Sequence, residues 1–260
     1  MMSHVRRCGF TLLEMLASLA IGAILLLAAT AMLGNSGTSY ERIAGGVSAE
    51  RDARGLLSQL AADLANARFH KDEVIGKSTA SWPIDQLGFL CMQSAQAQAD
   101  AGRIGDLCAV SYAIRDLSIN GKTVRCLVRG CRDSADTFKA LENDGLRALL
   151  TRHDDNDEPV AFGVVSFMAR PKSRAPGGKW IDWTPGDPGD PAGPEVLDVS
   201  LVLARRDLIG KLQQPADWDG TTAAARLLGP PSAAHRNPHL EIYSALIRFG
   251  NHDHPPANEP

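Results

Sequence analysis

Among the residues that could do chemistry, Glu14 stands out because it lies inside an otherwise uncharged run of 24 residues, 10–33. A carboxylate in the middle of a lipid bilayer costs about 2.5–3.5 kcal/mol on insertion scales, so such an acid usually has a partner. The chemistry that this position predicts is ion pairing with a cation. The alternative is an acid near the membrane surface that is simply hydrated.

The other polar clusters carry no recognisable catalytic arrangement. The sequence lacks Gly-x-Ser-x-Gly, Gly-x-x-x-x-Gly-Lys-Ser/Thr, Gly-x-Gly-x-x-Gly and His-Glu-x-x-His. Pro238 lies between His235 and His239 and disfavours a helix that would aim both rings at one metal. The acidic stretch 154–158 lacks the glycine and the distant glutamate of an EF-hand, which favours a solvated loop over a calcium site. We therefore predict that the protein is not an enzyme and has no cofactor and no metal site.

The element that must position Glu14 is the apolar run itself. A helix rises about 1.5 Å per residue, so residues 10–33 span roughly 36 Å, enough to cross a hydrocarbon core of about 30 Å. The run is longer than the apolar region of a secretory signal peptide, and no small-residue cleavage site follows it. Arg6 and Arg7 precede it without any acid, which keeps the amino terminus in the cytoplasm. This pattern predicts a single-pass membrane protein whose head lies outside the cytoplasm; in a bacterium, that is an inner-membrane protein with a periplasmic head.

The start of the run resembles the class III signal of type IV pilins and type II secretion pseudopilins. A basic leader, residues 1–9, ends in Gly9 and is followed by Phe10-Thr11-Leu12-Leu13-Glu14. The resemblance implies that a prepilin peptidase cleaves after Gly9 and that the new amino terminus, Phe10, is N-methylated. It also implies that Glu14, the fifth mature residue, neutralises the terminal ammonium of a neighbouring subunit. The partners implied are the prepilin peptidase, other pilin or pseudopilin subunits and an inner-membrane assembly platform.

Two narrower likenesses concern the rest of the chain. The segment 39–69 looks like that of the J/W-type minor pilins and pseudopilins, whose heads are large. Segments 105–112, 125–141 and 244–248 are similar to protein C of the Verru_Chthon cassette, a prepilin-type family of unknown function. The resemblance implies a structural subunit of a type IV pilus or a type II secretion-like assembly, and leaves open whether the machine serves secretion, adhesion, motility or DNA uptake.

Four cysteines, Cys91, Cys108, Cys126 and Cys131, remain after the leader with its Cys8 is removed. An even number of cysteines in an oxidising compartment favours disulfides, and four allow three pairings that the sequence does not choose between. A short Cys126–Cys131 loop with a Cys91–Cys108 bridge is one of them, and reduced structural thiols are the alternative. The absence of any Cys-x-x-Cys pair disfavours zinc.

The remaining sequence predicts an α+β fold in which a long amino-terminal helix packs on a mainly antiparallel sheet, as in pilins. Segment 34–69 continues the helix in amphipathic form, with Ile43, Val47, Leu57, Leu60 and Leu64 on its apolar side. Glycines at 34, 37, 45, 46 and 55 predict local weakening of this helix. The tail 251–260 is predicted to be disordered. The net charge of −3 argues against a nucleic-acid partner.

Residues 70–250 form the predicted head. The predicted strands are 86–93, 107–115, 122–129, 160–170, 195–204 and 240–249, with a helix over 133–150. Asn120-Gly121 predicts a hairpin between the second and third of these strands. Segment 171–194 is rich in Pro and Gly and is predicted to be a long loop.

The second hypothesis is a membrane-tethered periplasmic ligand-binding or adhesion domain that does not assemble into a filament. The loop 171–194 holds Trp180 and Trp183, which could contact a surface or a carbohydrate. Tryptophans in such a loop more often fold back on the core, and we favour that interpretation.

Overall fold

A computed structural model describes residues 12–68, 74–94, 104–119, 121–175, 177–183, 193–219 and 222–250. The chain divides into two compact units, Met1–Ala44 and Gly45–Pro260. The predicted leader, 1–9, and the predicted disordered tail, 251–260, lie outside the described residues.

The first helix, α1, runs over Leu12–Ala65 and contributes to both units. Its backbone stays helical at Gly34, Gly37, Gly45, Gly46 and Gly55, which confirms the predicted continuation of the helix beyond residue 33, and the local weakening at these glycines stays a prediction. In the part of the chain that the structure describes, no helix meets the length and hydropathy that a membrane crossing requires. The span 10–33 therefore stays a prediction.

In the second unit, α1 buries one narrow face against the head. The buried positions recur at intervals of four and three residues from Ala49 through Ala53, Leu56 and Leu60 to Asp63, and Leu64 lies four residues after Leu60. This spacing is that of a helix face that packs on a sheet. Leu60 and Leu64 confirm the predicted stripe, whereas Leu57 is only partly buried and the side chains of Ile43 and Val47 lie outside the described set.

The first antiparallel sheet has β4, Leu107–Ile119, near its centre. β3, Gln86–Met92, pairs with one side of β4, and β5, Lys122–Arg132, pairs with the other. Two short strands, β1 (Ala67–Arg68) and β2 (Val74–Gly76), pair with β3, while β6 (Glu158–Phe162) pairs with β5. Gly121 has a φ of +75°, which confirms the hairpin predicted between β4 and β5.

The second antiparallel sheet is built from the later part of the chain. β7, Val164–Arg174, pairs with β8, Trp180–Asp182, and with β9, Val196–Ala204, and β10, Leu240–Arg248, pairs with β9. The single strand predicted over 160–170 is wrong, because Gly163 separates β6 from β7. Gly163 has a φ of +69°, and a Cβ there would lie 2.3 Å from Cδ1 of Ile209. This turn passes the chain from one sheet to the other.

Hydrogen bonds around Asp85 tie the two sheets together. The Asp85 amide donates to the Phe167 carbonyl at 2.8 Å, and the Phe167 amide donates to the Pro83 carbonyl at 2.9 Å. The buried Asp85 carboxylate accepts from the amides of Ser78 at 2.8 Å and Ala169 at 3.0 Å. The two sheets therefore form one head and not two separate domains.

Helices cover the outer faces of both sheets. α2, Ser134–Glu142, and α3, Leu146–Thr151, pack on the first sheet, where Gly88 comes so close to Leu150 that a Cβ would lie 2.9 Å from its Cβ. The second sheet is covered by α4 (Arg206–Ile209), α5 (Pro215–Trp218) and two 3-10 turns, Ala224–Leu227 and Pro231–Arg236. The main apolar core lies between α1 and the inner faces of both sheets.

Two further predictions need correction. The helix predicted over 133–150 is divided into α2 and α3 at Asp144, which has a φ of +51°, and the following Gly145. The loop predicted over 171–194 contains the end of β7 and all of β8, although residues 184–192 lie outside the described set. The α+β class itself, with antiparallel sheets, is confirmed for the head.

Candidate functional site

The predicted processing and assembly residues lie at the amino-terminal end of the chain. Gly9 and Phe10 fall outside the described residues. Glu14 is the third residue of α1, which begins at Leu12. The roles proposed for Gly9, Phe10 and Glu14 therefore depend on the sequence motif and not on contacts.

The described side chains of α1 between positions 12 and 27 form an apolar and open surface. Large apolar side chains between positions 12 and 27 have exposed fractions from 59% to 82%, and they are Leu12, Met15, Leu16, Leu19, Ile21, Ile24, Leu25, Leu26 and Leu27. Side chains of this kind are costly in water and require cover from lipid or from another protein. This stretch of α1 is thus a surface that the described part of its own chain leaves uncovered.

The most constrained polar cluster of the head is centred on Asp63, near the end of α1. Its Oδ2 accepts from Nε of Arg129 at 2.7 Å and from the Tyr112 hydroxyl at 2.6 Å. Its Oδ1 accepts from Nη2 of Arg129 at 3.0 Å and from the Gln93 amide at 3.0 Å, with Gln59 farther away at 3.3 Å. Asp63 is 3% exposed, so this two-point ion pair is held inside the helix–sheet core.

The cluster keeps Asp63 ionised and its partners protonated. Burial acts to raise the pKa of Asp63, but the hydrogen bonds from Arg129 and Tyr112 outweigh it and hold that pKa below its usual value. Burial and the Asp63 charge raise the pKa of Tyr112, and the Asp63 hydrogen bond overcomes burial to raise the pKa of Arg129. The arrangement is therefore a fixed salt bridge between α1 and the sheet, with no group poised to donate or accept a proton near neutral pH.

Sequence reasoning did not single out Asp63 or its partners. A usable signal was present, because Asp63 continues the four-and-three spacing of Ala49, Ala53, Leu56 and Leu60. An acid at a position that the periodicity assigns to the core requires a buried cation. The identity of that cation could not be read from the sequence, because Arg129 lies 66 residues away along the chain.

The four predicted disulfide cysteines are free thiols, and the structure groups three of them. Cys91 on β3 lies opposite Cys108 on β4, and Cys131 on β5 lies opposite Val110. The Cys126–Cys131 bridge is excluded in this fold. Both residues lie on β5, where five residues of extended strand span roughly 17 Å, far beyond the reach of a disulfide.

The acidic stretch 154–158 uses its buried carboxylate for structure. Oδ1 of Asp157 lies 2.7 Å from a guanidinium nitrogen of Arg132, and the Arg115 guanidinium lies 3.9 Å from Oδ2. The ion pair with Arg132 and the hydrogen bond from the Asp154 amide outweigh burial and lower the pKa of Asp157. Two guanidinium groups thus lie beside the Asp157 carboxylate.

The other candidate ligands are dispersed. Nδ1 of His239 lies 2.7 Å from the Asp207 carboxylate on the surface, and His235 contacts Arg236. Within the described ranges, no group of three or more His, Cys, Asp or Glu side chains is arranged to hold a metal ion. A groove of about 550 Å³ between α2 and α3 is wide and shallow, and its polar lining comes from surface residues such as Lys139 and Arg152.

The two tryptophans of the predicted loop do not form a flat exposed platform. Trp183 is 5% exposed, and the Arg174 guanidinium lies 4.9 Å from the centre of the Trp180 ring. These contacts agree with the expectation that the tryptophans fold back on the head.

Comparison with known protein families finds a match at the amino terminus. Residues 5–30 match the prokaryotic N-terminal methylation motif. The match supports a prepilin-type signal and a protein of the type IV pilin or pseudopilin kind that is processed by a prepilin peptidase. Comparison with curated proteins and with solved structures finds no significant match.

Proposed function

We propose that the protein is a minor pilin- or pseudopilin-like structural subunit, without enzyme activity, of a type IV pilus or a type II secretion-like assembly. The observation that carries this proposal is the motif match over 5–30, which contains the cleavage position after Gly9 and the acid at Glu14. Prepilin peptidase removes residues 1–9, and the subunit then assembles through the amino-terminal part of α1. The head stays on the periplasmic side of the inner membrane until assembly.

Two features of the chain support an assembling subunit over a simple tethered domain. The open apolar surface between positions 12 and 27 suits burial against like helices as well as against lipid. An acid within that surface gains from a partner only where another charged group enters the same low-dielectric setting. The freed ammonium of Phe10 on a neighbouring subunit is such a group, and cleavage after Gly9 creates it.

The size and fold of the head support the finer assignment to a minor or J/W-type subunit. The second unit runs from Gly45 onward and carries two antiparallel sheets and their covering helices on one helix end. A head of this size suits a subunit at or near a filament tip better than one repeated along the filament. Similarity to protein C of the Verru_Chthon cassette belongs to the same proposal.

The proposal is tested by the Glu14→Ala variant, expressed in place of the wild-type protein. We expect normal cleavage and normal recovery with the membrane fraction, but a loss of about tenfold or more in recovery with the sheared filament or the purified assembly. Glu50→Ala is the matched control, because Glu50 is an acid of the same helix that pairs with Arg54 at the surface. Wild-type recovery of Glu14→Ala with the assembly would contradict the proposal, as would an equal loss for Glu50→Ala.

The tethered ligand-binding or adhesion domain is the alternative function. No observation on the head favours it, because Trp183 is buried and Trp180 is stacked with Arg174. Trp180→Ala tests this alternative directly, because Trp180 is the less buried of the two tryptophans. Under the proposal, the substitution leaves incorporation and surface attachment unchanged, whereas a loss of surface attachment, together with a wild-type protein that is absent from any assembly, would favour the tethered adhesion domain.

A further inference from the structure

Three thiols share the face of the first sheet that α1 covers. Cys91 and Cys108 occupy paired positions on β3 and β4, and Cys91 is part of the main core. Cys131 on β5 is paired with Val110, which lies two positions along β4 from Cys108. Side chains two positions apart on a strand point to the same face, so Cys108 and Cys131 are diagonal neighbours across the β4–β5 hairpin.

The interactions of the three thiols divide them into a pair and a single group. The Cys108 and Cys131 thiols are close enough for each to shift the pKa of the other. The Cys91 thiol instead donates to the Asp63 carbonyl at 3.2 Å and accepts from the Gln93 amide at 3.1 Å. Cys91 is therefore held by α1 and by its own strand, although its backbone lies opposite Cys108.

Accessibility and charge distinguish the two members of the pair. Cys131 is partly exposed, whereas Cys108 is 0% exposed. The interaction with the Cys108 thiol lowers the pKa of Cys131 to about 7, burial opposes this shift, and the Arg129 and Arg132 guanidinium groups favour the thiolate. The nearby Asp63 carboxylate acts in the opposite direction. A thiolate that is partly exposed and close to cations is the reactive kind of cysteine.

We propose that Cys108 and Cys131 form a redox couple that closes as a disulfide between β4 and β5 under the end of α1. The Cys131 thiolate attacks an external disulfide RSSR, forms a mixed disulfide and releases one RS⁻. The Cys108 thiol then loses its proton and attacks Sγ of Cys131, which releases the second RS⁻. The balance is two protein thiols plus RSSR giving one protein disulfide plus two RSH.

The oxidant in this scheme is a thiol disulfide, either a small molecule such as oxidised glutathione or a protein thiol oxidase of an oxidising compartment. The product connects two strands that are already paired, so it requires no change of topology. It lies beside Arg129 and so next to the salt bridge that holds α1 on the sheet. The proposal is independent of filament assembly.

Cys126 is an internal control for this chemistry. Its side chain lies on the face of β5 opposite to that of its neighbour Leu127, which belongs to the main core. Burial raises the pKa of the Cys126 thiol to about 12. We expect Cys131 to react with N-ethylmaleimide at least about tenfold faster than Cys126 near neutral pH.

Peptide mapping of the full-length chain tests the proposal, because trypsin places each head cysteine on a separate peptide. These peptides are 78–103 with Cys91, 104–115 with Cys108, 126–129 with Cys126 and 130–132 with Cys131. The reduced protein in detergent is treated with oxidised glutathione, free thiols are blocked with N-ethylmaleimide, and the digest is analysed by mass spectrometry. We expect 104–115 linked to 130–132, and the other two peptides alkylated.

Single variants decide the pairing independently. Cys126→Ser and Cys91→Ser are expected to retain the linked peptide, whereas Cys108→Ser loses it and leaves Cys131 alkylated or joined to glutathione. The map of the wild-type protein alone is decisive if a variant fails to fold. A link between 78–103 and 104–115, or alkylation of all four cysteines after oxidation, would overturn the proposal.

Discussion

The two units that share α1 differ in whether their own chain covers the apolar side chains of the helix. Between positions 12 and 27, large apolar side chains are 59–82% exposed, whereas Leu56, Leu60 and Leu64 in the second unit are fully buried. The second stretch is covered by sheets of its own chain. The first has no such cover among the described residues, which agrees with a surface that lipid or other subunits complete.

Each stretch also contains one acid of interest, Glu14 in the first and Asp63 in the second. Asp63 is neutralised within the chain, by a two-point ion pair with Arg129. Glu14 is predicted to be neutralised between chains, by the terminal ammonium of a processed neighbour. The need to neutralise a buried acid can thus be met by a cation of the same chain or by a cation of a neighbouring subunit. The following predictions separate these two cases.

The largest expected effect is at the processing site. Gly9→Leu places a bulky side chain at the cleavage position, and we expect almost complete loss of the mature form, seen as a leader-bearing band on a gel. Gly22→Leu is the matched control, since a Cβ at Gly22 meets nothing within 4 Å. A mature-sized band for Gly9→Leu would contradict the prediction and would remove the amino terminus that Glu14 needs.

Next in size is the loss of the buried cation in the head. Arg129→Met leaves Asp63 charged, 3% exposed and without its main partner, which costs about 3–5 kcal/mol of unfolding free energy. For a head of this size we expect Tm to fall by roughly 10 °C in circular dichroism of the full-length protein. Arg54→Met is the control, because that surface pair contributes little.

A double variant sharpens this result. Asp63→Leu combined with Arg129→Met removes both charges, and we expect it to recover most of the lost Tm because no unpaired ion remains buried. A Tm for Arg129→Met within about 2 °C of the wild type would show that the pair does not hold α1 on the sheet.

The pH dependence of stability gives a smaller effect. The pKa of Asp63 is lower in the folded state than in the unfolded state, so its stabilisation is complete above an unfolded value of about 3.9 and is lost as the pH falls below it. The Tm difference between wild type and Asp63→Asn should therefore be constant above about pH 5 and narrow below about pH 4. Asp157 shifts in the same direction but is present in both proteins.

Two results would contradict the predicted pH dependence of the Tm difference between wild type and Asp63→Asn. A Tm difference that narrows near neutral pH would indicate that a group other than the Asp63 carboxylate controls it. A difference that stays constant down to about pH 2 would show that the Asp63 pKa is not shifted in the way the Arg129 contact requires.

The smallest expected effect is a gain in the stability of the head. Gly55 lies on the exposed side of α1 beside the buried Leu56, and a Cβ there meets nothing within 4 Å. Gly55→Ala should stabilise the head by up to about 1 kcal/mol, which raises Tm by about 2–4 °C. Gly22→Ala, the same change in the first unit, should leave the Tm of the head unchanged. A lower Tm for Gly55→Ala would show that the helix in the head needs a glycine there.

Local patterns predicted those parts of the head that local forces determine. Alternating apolar residues located β3, β9 and β10 to within a residue or two, and Asn120-Gly121 located the β4–β5 turn. The break at Gly163 was missed because the apolar pattern continues across it. The chain passes from the first sheet to the second there because Gly163 adopts a positive φ. A glycine within an apolar run does not by itself predict such a turn.

The candidate sites also differ in whether the sequence alone predicts them. Gly9, Phe10 and Glu14 are contiguous, so the sequence alone predicts them and the motif match over 5–30 supports them. The Asp63–Arg129 pair and the Cys108–Cys131 pair join residues that are distant along the chain or lie on different strands. Such pairs depend on strand register, which composition and periodicity do not determine.

The most direct test of the central claim is the amino-terminal sequence and mass of the native protein purified from its own membranes. The account predicts a mature chain that begins at Phe10, carries one N-methyl group and lacks residues 1–9. A native protein that begins at Met1 or Met2 with its basic leader attached would contradict the account. The head would then belong to a tethered protein that does not assemble through Glu14.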